Sequence, residues 1–152
     1  MSDDLYRTYF DAMPCFLTVQ DRDLRIINAN ERFVTNFGSF DGRFCYQVYK
    51  NRPERCEDCP VVRTFRDGQR HRSEQLVRTL DGREVSVLVY TTPIRDARGE
   101  IEAVMEMSAD ITEIKNRWRI REGRPRPRRN SEERYRHLGC PGEWSTHLYT
   151  PL

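Results

Sequence analysis

The chain has 152 residues, of which 37% are hydrophobic and 33% charged, with a formal net charge of +2. That is one domain's worth of sequence, with a core of about 100 residues possible if the charge lies on the surface or in a tail. No apolar run approaches the ~18 residues of a membrane span, and the start MSDDLYRTYFDAM is acidic where a secretory leader would be basic, so a cytoplasmic protein with reduced cysteines is expected.

Residues 3–13 read as a helix. Leu5, Tyr9 and Met13 recur at four-residue spacing with Tyr6 and Phe10 beside them. Pro14 stops it, because proline disfavours a helical residue before it. Residues 15–20, CFLTVQ, are rich in strand formers and put Cys15, Leu17 and Val19 on one face. Asp21-Arg22-Asp23 is a polar turn, and residues 24–27 are the next strand, paired with the first as a hairpin. Asn30 is a candidate N-cap for a short helix that buries Phe33, Val34 and Phe37 and stops at Gly38. Residues 43–50, RFCYQVYK, give another short helical stripe through Phe44, Cys45, Val48 and Tyr49. Residues 51–58 form a polar loop. Pro60 suits the first position of a helix carrying Val61, Val62 and Phe65 and closed by Gly68.

Three strands follow, over residues 71–80, 84–94 and 101–109. Asp81-Gly82 predicts a two-residue type I′ turn between the first two, and DARGE, 96–100, a second turn. Val85, Val87, Val89 and Thr91 alternate against Ser86, Leu88 and Tyr90, and Val104 centres the last strand. Asp110 is the expected cap of a helix through Ile114 and Trp118. Residues 122–130, EGRPRPRRN, have linker composition. Between residues 113 and 137 lie ten Lys/Arg and four Asp/Glu, so the tail is basic and the body mildly acidic.

Several local sequences are similar to the PAS family of sensory domains. Leu17-Thr18-Val19-Gln20-Asp21-Arg22-Asp23 and Arg25-Ile26-Ile27-Asn28-Ala29-Asn30-Glu31-Arg32-Phe33 resemble the strand–turn–strand–Asn–helix opening. Thr92-Pro93-Ile94-Arg95-Asp96 and Asp110-Ile111-Thr112-Glu113 resemble the closing strands and the Asp-x-Thr junction. The resemblance covers roughly residues 5–115. It implies an α+β fold: a five-stranded antiparallel sheet with short helices on one face, followed by a C-terminal helix and an irregular tail. It also implies a pocket between sheet and helices, here bordered by Cys15, Leu17, Phe33, Cys45, Cys59, Phe65 and Val89. A signal would leave through Asp110, Thr112 and the last helix to a homodimer partner or a neighbouring signalling domain such as a histidine kinase. The organisation expected is a lead-in helix (1–14), a sensory domain (15–112) and a signalling helix with basic linker (113–129). Residues 130–152 are a tail whose NSEERYRHL resembles the lead-in of a following PAS domain, as in a piece of a longer sensor.

The cysteines carry the sharpest chemistry. Zinc and iron–sulfur centres need about four thiolate or similar donors. Cys56-x-x-Cys59 supplies two, Cys45 a third, and Cys15, facing inward, a fourth; the usual second Cys-x-x-Cys is missing. A redox disulfide between Cys56 and Cys59, or between Cys45 and either, is an equal alternative, and cysteines without function are the plainer one. The helix starting at Pro60 is expected to lower the pKa of Cys59. Cys140 lies in the tail and is incidental. Flavin and haem are not expected. Residues 42–47 faintly resemble the photoreactive motif of LOV domains, but Phe44 and Tyr46 replace its asparagine and arginine. His71, just past the helix that would carry a haem ligand, reads as a solvent-facing strand residue. No catalytic constellation stands out. Arg117, Arg119, Arg121, Arg124, Arg126, Arg128 and Arg129, with Trp118, read as a solvated helix and linker, so a nucleic-acid partner is not expected.

Overall fold

A computed structural model describes residues 2–123. The expected second lead-in around residues 130–138, Cys140 and the arginines from Arg124 onward lie outside them. In chain order the elements are α1 (Asp3–Ala12), β1 (Phe16–Gln20), β2 (Ile26–Ala29), α2 (Glu31–Phe37), α3 (Cys45–Lys50), α4 (Pro60–Asp67), β3 (His71–Arg78), β4 (Glu84–Arg95), β5 (Ile101–Asp110) and α5 (Thr112–Arg121). One five-stranded sheet runs β2-β1-β5-β4-β3. Every neighbouring pair is antiparallel. The last strand therefore lies in the middle and joins the first hairpin to the second.

The main core lies between the sheet and α2, α3 and α4. Phe33, Phe37, Tyr49 and Val61 pack there on Phe16, Val87, Val89 and Val104. Phe16, Phe33, Phe37 and Tyr49 form a mutual aromatic cluster with centroids 4.9–5.1 Å apart in the Phe37–Tyr49, Phe33–Tyr49, Phe16–Phe37 and Phe33–Phe37 pairs. Val34 points outward, 37% exposed. The lead-in helix covers the sheet's other face and touches α2 at its end, where Asp11 Oδ1 accepts from the Glu31 N–H at 2.8 Å. Phe10 of α1 packs with Cys15, Leu17, Met105 and Met107 in a second cluster. Successive strand residues face opposite ways, and Phe16 belongs to the main core, so Cys15 and Leu17 are on the sheet's far face.

Asn30 ties the opening hairpin to α2. Its side chain is fully buried. Oδ1 accepts from the backbone N–H of Leu17 at 3.0 Å and of Phe33 at 3.1 Å, and Nδ2 donates to the Cys15 carbonyl at 2.8 Å. It is an N-cap that also completes the edge of β1. Two turns differ from the sequence expectation. β2 begins at Ile26, because Leu24 takes a positive φ of 67° and donates its N–H to Asp21 at 3.0 Å. A leucine there is strained, and its 4% exposure shows what holds it. Between β3 and β4 only Gly82 takes a positive φ, 82°. A type I′ turn would need Asp81 there too. Instead Thr79 donates its N–H to Arg83 across a longer loop, and Asp81 Oδ1 accepts from the Thr79 hydroxyl at 2.5 Å.

Asn30→Ala removes three buried hydrogen bonds at once. It should cost about 3 kcal/mol, lowering Tm by on the order of 10 °C in thermal denaturation.

Candidate functional site

The two middle strands turn a polar patch toward the helices. Register places Thr18 of β1 opposite Glu106 of β5, and Phe16 opposite Ser108. Thr18, Gln20 and Ser108 are fully buried and Glu106 is 8% exposed. Gln20 Nε2 donates to Glu106 Oε2 and to Thr18 Oγ1, and the Ser108 hydroxyl donates to Glu106 Oε1, each at 3.3 Å.

Two helix starts are brought over this patch. The Cys45 N–H, at the start of α3, donates to the Leu24 carbonyl at 2.9 Å. Gln47 Oε1 accepts from the Phe44 N–H at 3.1 Å. α4 is pinned to β4 by a 2.7 Å hydrogen bond between the Thr64 and Thr91 hydroxyls. Cys59 immediately precedes α4, whose first residue is Pro60 and whose end is Gly68 with φ 69°. The result is a cavity of about 40 Å³, lined by Cys45, Tyr49 and Lys50 of α3, Cys56 and Cys59, Gln75 and Val77 of β3, Val89 of β4, and Glu106 and Ser108 of β5, with Tyr46 and Pro60. Lys50 Nζ donates to Gln75 Oε1 at 2.5 Å. Gln20 Oε1 is buried with no hydrogen-bond partner among the described residues, and the buried Tyr49 hydroxyl lies beside Glu106, Ser108 and Thr18.

The electrostatics follow from burial. Desolvation raises the Glu106 carboxyl above its ordinary value, opposed by the Lys50 charge and by hydrogen bonding from Ser108, Gln20 and Tyr49. Desolvation also holds Cys45 well above a normal thiol, and Cys59, Glu106 and Cys56 add to the rise. Cys59 is pushed up to about 11. The expectation of a lowered Cys59 was wrong: the Val62 and Val61 N–H groups of α4 do act in that direction, but burial outweighs them. Tyr49 is raised by burial first and by Glu106 second, with the nearby Ser108 and Thr18 hydroxyls opposing.

The structure thus brings together Cys45, Cys56, Cys59 and Val89. It does not bring Cys15 or Leu17, which pack under α1, so Cys15 is no fourth ligand. Phe33 lies deeper, against Phe37 and Tyr49. Phe65 faces an open groove instead, with Arg22, Tyr46 and Arg55, and the Arg22 guanidinium lies 5.2 Å from its ring centre. His71 is half-buried, its Nε2 2.8 Å from Asp67 Oδ2, rather than facing solvent. Sequence reading missed Tyr49, Lys50, Gln75, Glu106 and Ser108 as lining residues. At about 40 Å³ the cavity is far below the roughly 300–1,000 Å³ of sites that enclose cofactors. All four described cysteines are buried thiols. Among the described residues, no three His, Cys, Asp or Glu form a ready-made metal site.

At the exit, α5 is capped at Ile111, one residue later than expected. Asp110 Oδ1 accepts from the Thr112 N–H at 2.9 Å. Ser86 of β4 makes two more contacts: its N–H donates to Thr112 Oγ1 at 3.0 Å, and its carbonyl accepts from the Ile111 N–H at 2.8 Å.

The sequence model of the PAS fold matches residues 10–116. The chain belongs to the PAS fold family. Solved structures agree. The PAS domain of an HTR-like protein from Haloarcula marismortui superposes with a TM-score of 0.55 at 25% identity, covering 71% of this chain and 90% of that one. The Vibrio cholerae VqmA dimer, described in relation to its target DNA, gives 0.60 at 17%, covering 75% and 53%. An RNA-binding light-oxygen-voltage receptor gives 0.64 at 16%, covering 79% and 35%. The last two show a shared fold alone, and this PAS chain spans about half of the VqmA chain it matches. No curated protein matches the chain.

The raised Glu106 carboxyl means the folded PAS domain binds that proton more tightly than the unfolded chain. Its contribution to stability is therefore full below the unfolded carboxyl range and falls as pH rises through the folded value. Glu106→Gln should remove that fall. In buffer with EDTA, the variant's Tm advantage over the parent should grow from about pH 4 to pH 8; thermal scans across that range check it.

Proposed function

We propose that this PAS domain is a sensory and protein-interaction module that reads the state of its cavity and relays it to α5. The observation that carries the reading is a shared pair of strands. Val89, Glu106 and Ser108 border the cavity, and they lie on β4 and β5, the strands whose ends hold the first turn of α5. Register places Val89 opposite Ser108 and Val87 opposite Asp110. A change in cavity contents that bears differently on two arrangements of these strands shifts the population of both.

The outward surfaces favour a partner. No residue of α5 is buried. Ile114, Trp118 and Ile120 are 55%, 57% and 74% exposed, and α1 presents Leu5, Tyr6 and Tyr9. Apolar side chains collected on two terminal helices suit a second copy or an adjoining signalling domain such as a histidine kinase. On this reading the chain divides into a lead-in helix, a sensory domain, and a signalling helix with linker. No helix of the described residues is long and apolar enough to cross a membrane. VqmA's dimer and target DNA belong to the longer chain of that protein; here the arginines of α5 stand as its solvated face.

Hydrogen exchange on the full chain tests the relay. Thr112→Val should speed exchange of the amides at 110–116 and leave those of α3 and α4 unchanged. Glu106→Gln, which touches no residue of α5, should also change protection at 110–116. Exchange there that ignores Glu106→Gln would remove the relay.

A further inference from the structure

We propose that the open groove beside the 51–58 segment binds a free short peptide, one with apolar side chains and both termini charged. The site is separate from the small cavity and needs neither that cavity nor the relay to α5. The groove has a volume of about 850 Å³, inside the roughly 300–1,000 Å³ of sites that take small ligands. The β1–β2 turn, α3 with the segment after it, and α4 all border it.

The floor is apolar. Tyr46, Val62 and Phe65 line it, and all three are half-buried against the main core. Leu24 lines it as well, 4% exposed and held at its positive φ of 67°. Backbone strain of this kind persists only where the surroundings fix it, and it collects at ligand clamps. Such a floor takes leucine-sized side chains and gains by removing their surface from water.

The rim carries both signs of charge. Arg22 and Asp23 stand on the β1–β2 turn, and Glu54, Arg55 and Glu57 stand on the 51–58 segment. Arg22 is already placed: its guanidinium donates to the Ile101 carbonyl at 2.9 Å and lies 5.2 Å from the Phe65 ring centre. Among the described residues, the side chains of Asp23, Glu54, Arg55 and Glu57 make no ion pair with one another or with any other group. Elsewhere surface charges do pair, Arg7 with Asp11, Arg63 with Asp58 and Arg83 with Asp81. A wholly anionic ligand would meet three carboxylates in the groove, and a wholly cationic one would meet two guanidiniums. A zwitterion answers both signs. Its carboxylate accepts from Arg22 and Arg55, and its ammonium donates to Glu54, Glu57 or Asp23. A free peptide carries these two charges at its ends and apolar side chains between them. A single amino acid has the same charges but leaves most of a groove this size empty.

The test uses the full chain, with trileucine as the probe and amide chemical shifts as the readout. Trileucine should move the amides of residues 22–24, 46, 54–57 and 62–65 and leave those of Leu17 and Met107, on the far face, in place. Trialanine should bind at least about tenfold more weakly, for lack of apolar surface. Blocked peptides separate the two charges. Arg55→Gln should weaken trileucine about threefold and leave trileucine amide, which has no carboxylate, unaffected. Glu54→Gln combined with Glu57→Gln should weaken trileucine to a similar extent and leave N-acetyl-trileucine, which has no ammonium, unaffected. These rim residues are exposed, so the variants should keep the fold, which circular dichroism checks. Absence of shifts at millimolar trileucine, shifts centred on the far face, or equal binding of trileucine and its doubly blocked form would overturn the site.

Discussion

Glu106 sits where the middle strand turns its face to the helices, and an ionised carboxylate taken out of water there costs several kcal/mol unless it is bonded. The neighbouring positions answer that cost. Thr18 and Gln20 come from the strand on one side, and Ser108 from the same strand two residues on. Those residues are buried as deeply as Val87 and Val104. The centre of the sheet's inner face is thus a polar island in an apolar rim. Helices cannot seal such an island with leucines without stranding its oxygens. α3 and α4 bring thiols, a phenol and an ammonium instead, and a small cavity stays between.

Much of this architecture was legible. The Asn30 cap, the Gly38 and Gly68 stops and the Pro60 start each have a local physical cause, and local causes survive folding. The face of β1 was not legible. All five of its residues are buried, because α1 covers the side away from the core, so alternation could not say which side was inner. Cys15, Leu17 and Val19 do share a face, but it is the other one. β5 hid its key residue for a related reason. Glu106 in EAVMEMSA reads as the solvent phase of an alternating strand. A register shift lies between Ile94 and Arg95, whose partners are Ala103 and Ile101. Glu102 is the extra residue, and such a bulge reverses the phase of the strand beyond it. Ile101 and Val104 then both reach the main core, and Glu106 and Ser108 come after Val104 on the same inward face.

The cysteine spacing has a simple geometric meaning in this fold. Cys45 opens α3 and Cys59 immediately precedes α4. The chain leaves the cavity along a short helix, turns through the left-handed Asn51 with φ 49°, and returns through the 51–58 segment to where it began. Both helix starts therefore border the small cavity that Glu106 lines. A helix N-terminus favours a thiolate, but that advantage falls short of the desolvation penalty at Cys59. Burial thus holds the Cys45 and Cys59 thiols above their ordinary range despite the helix starts.

The exit helix shows how small a cause can matter. None of its residues is buried, so packing does not fix its direction. Its first turn is held by the Ser86 pair of hydrogen bonds and by the ion pair between Lys115 and Glu74. Both anchors stand on the β3–β4 hairpin, whose eight paired residues from His71↔Thr91 to Arg78↔Glu84 form one continuous ladder. Gln75 and Val77 on β3 and Val89 on β4 border the cavity. A continuous antiparallel ladder resists local stretching, so the hairpin holds the cavity wall and the α5 anchors on one stiff element. With none of its residues buried, α5 takes its direction chiefly from these anchors.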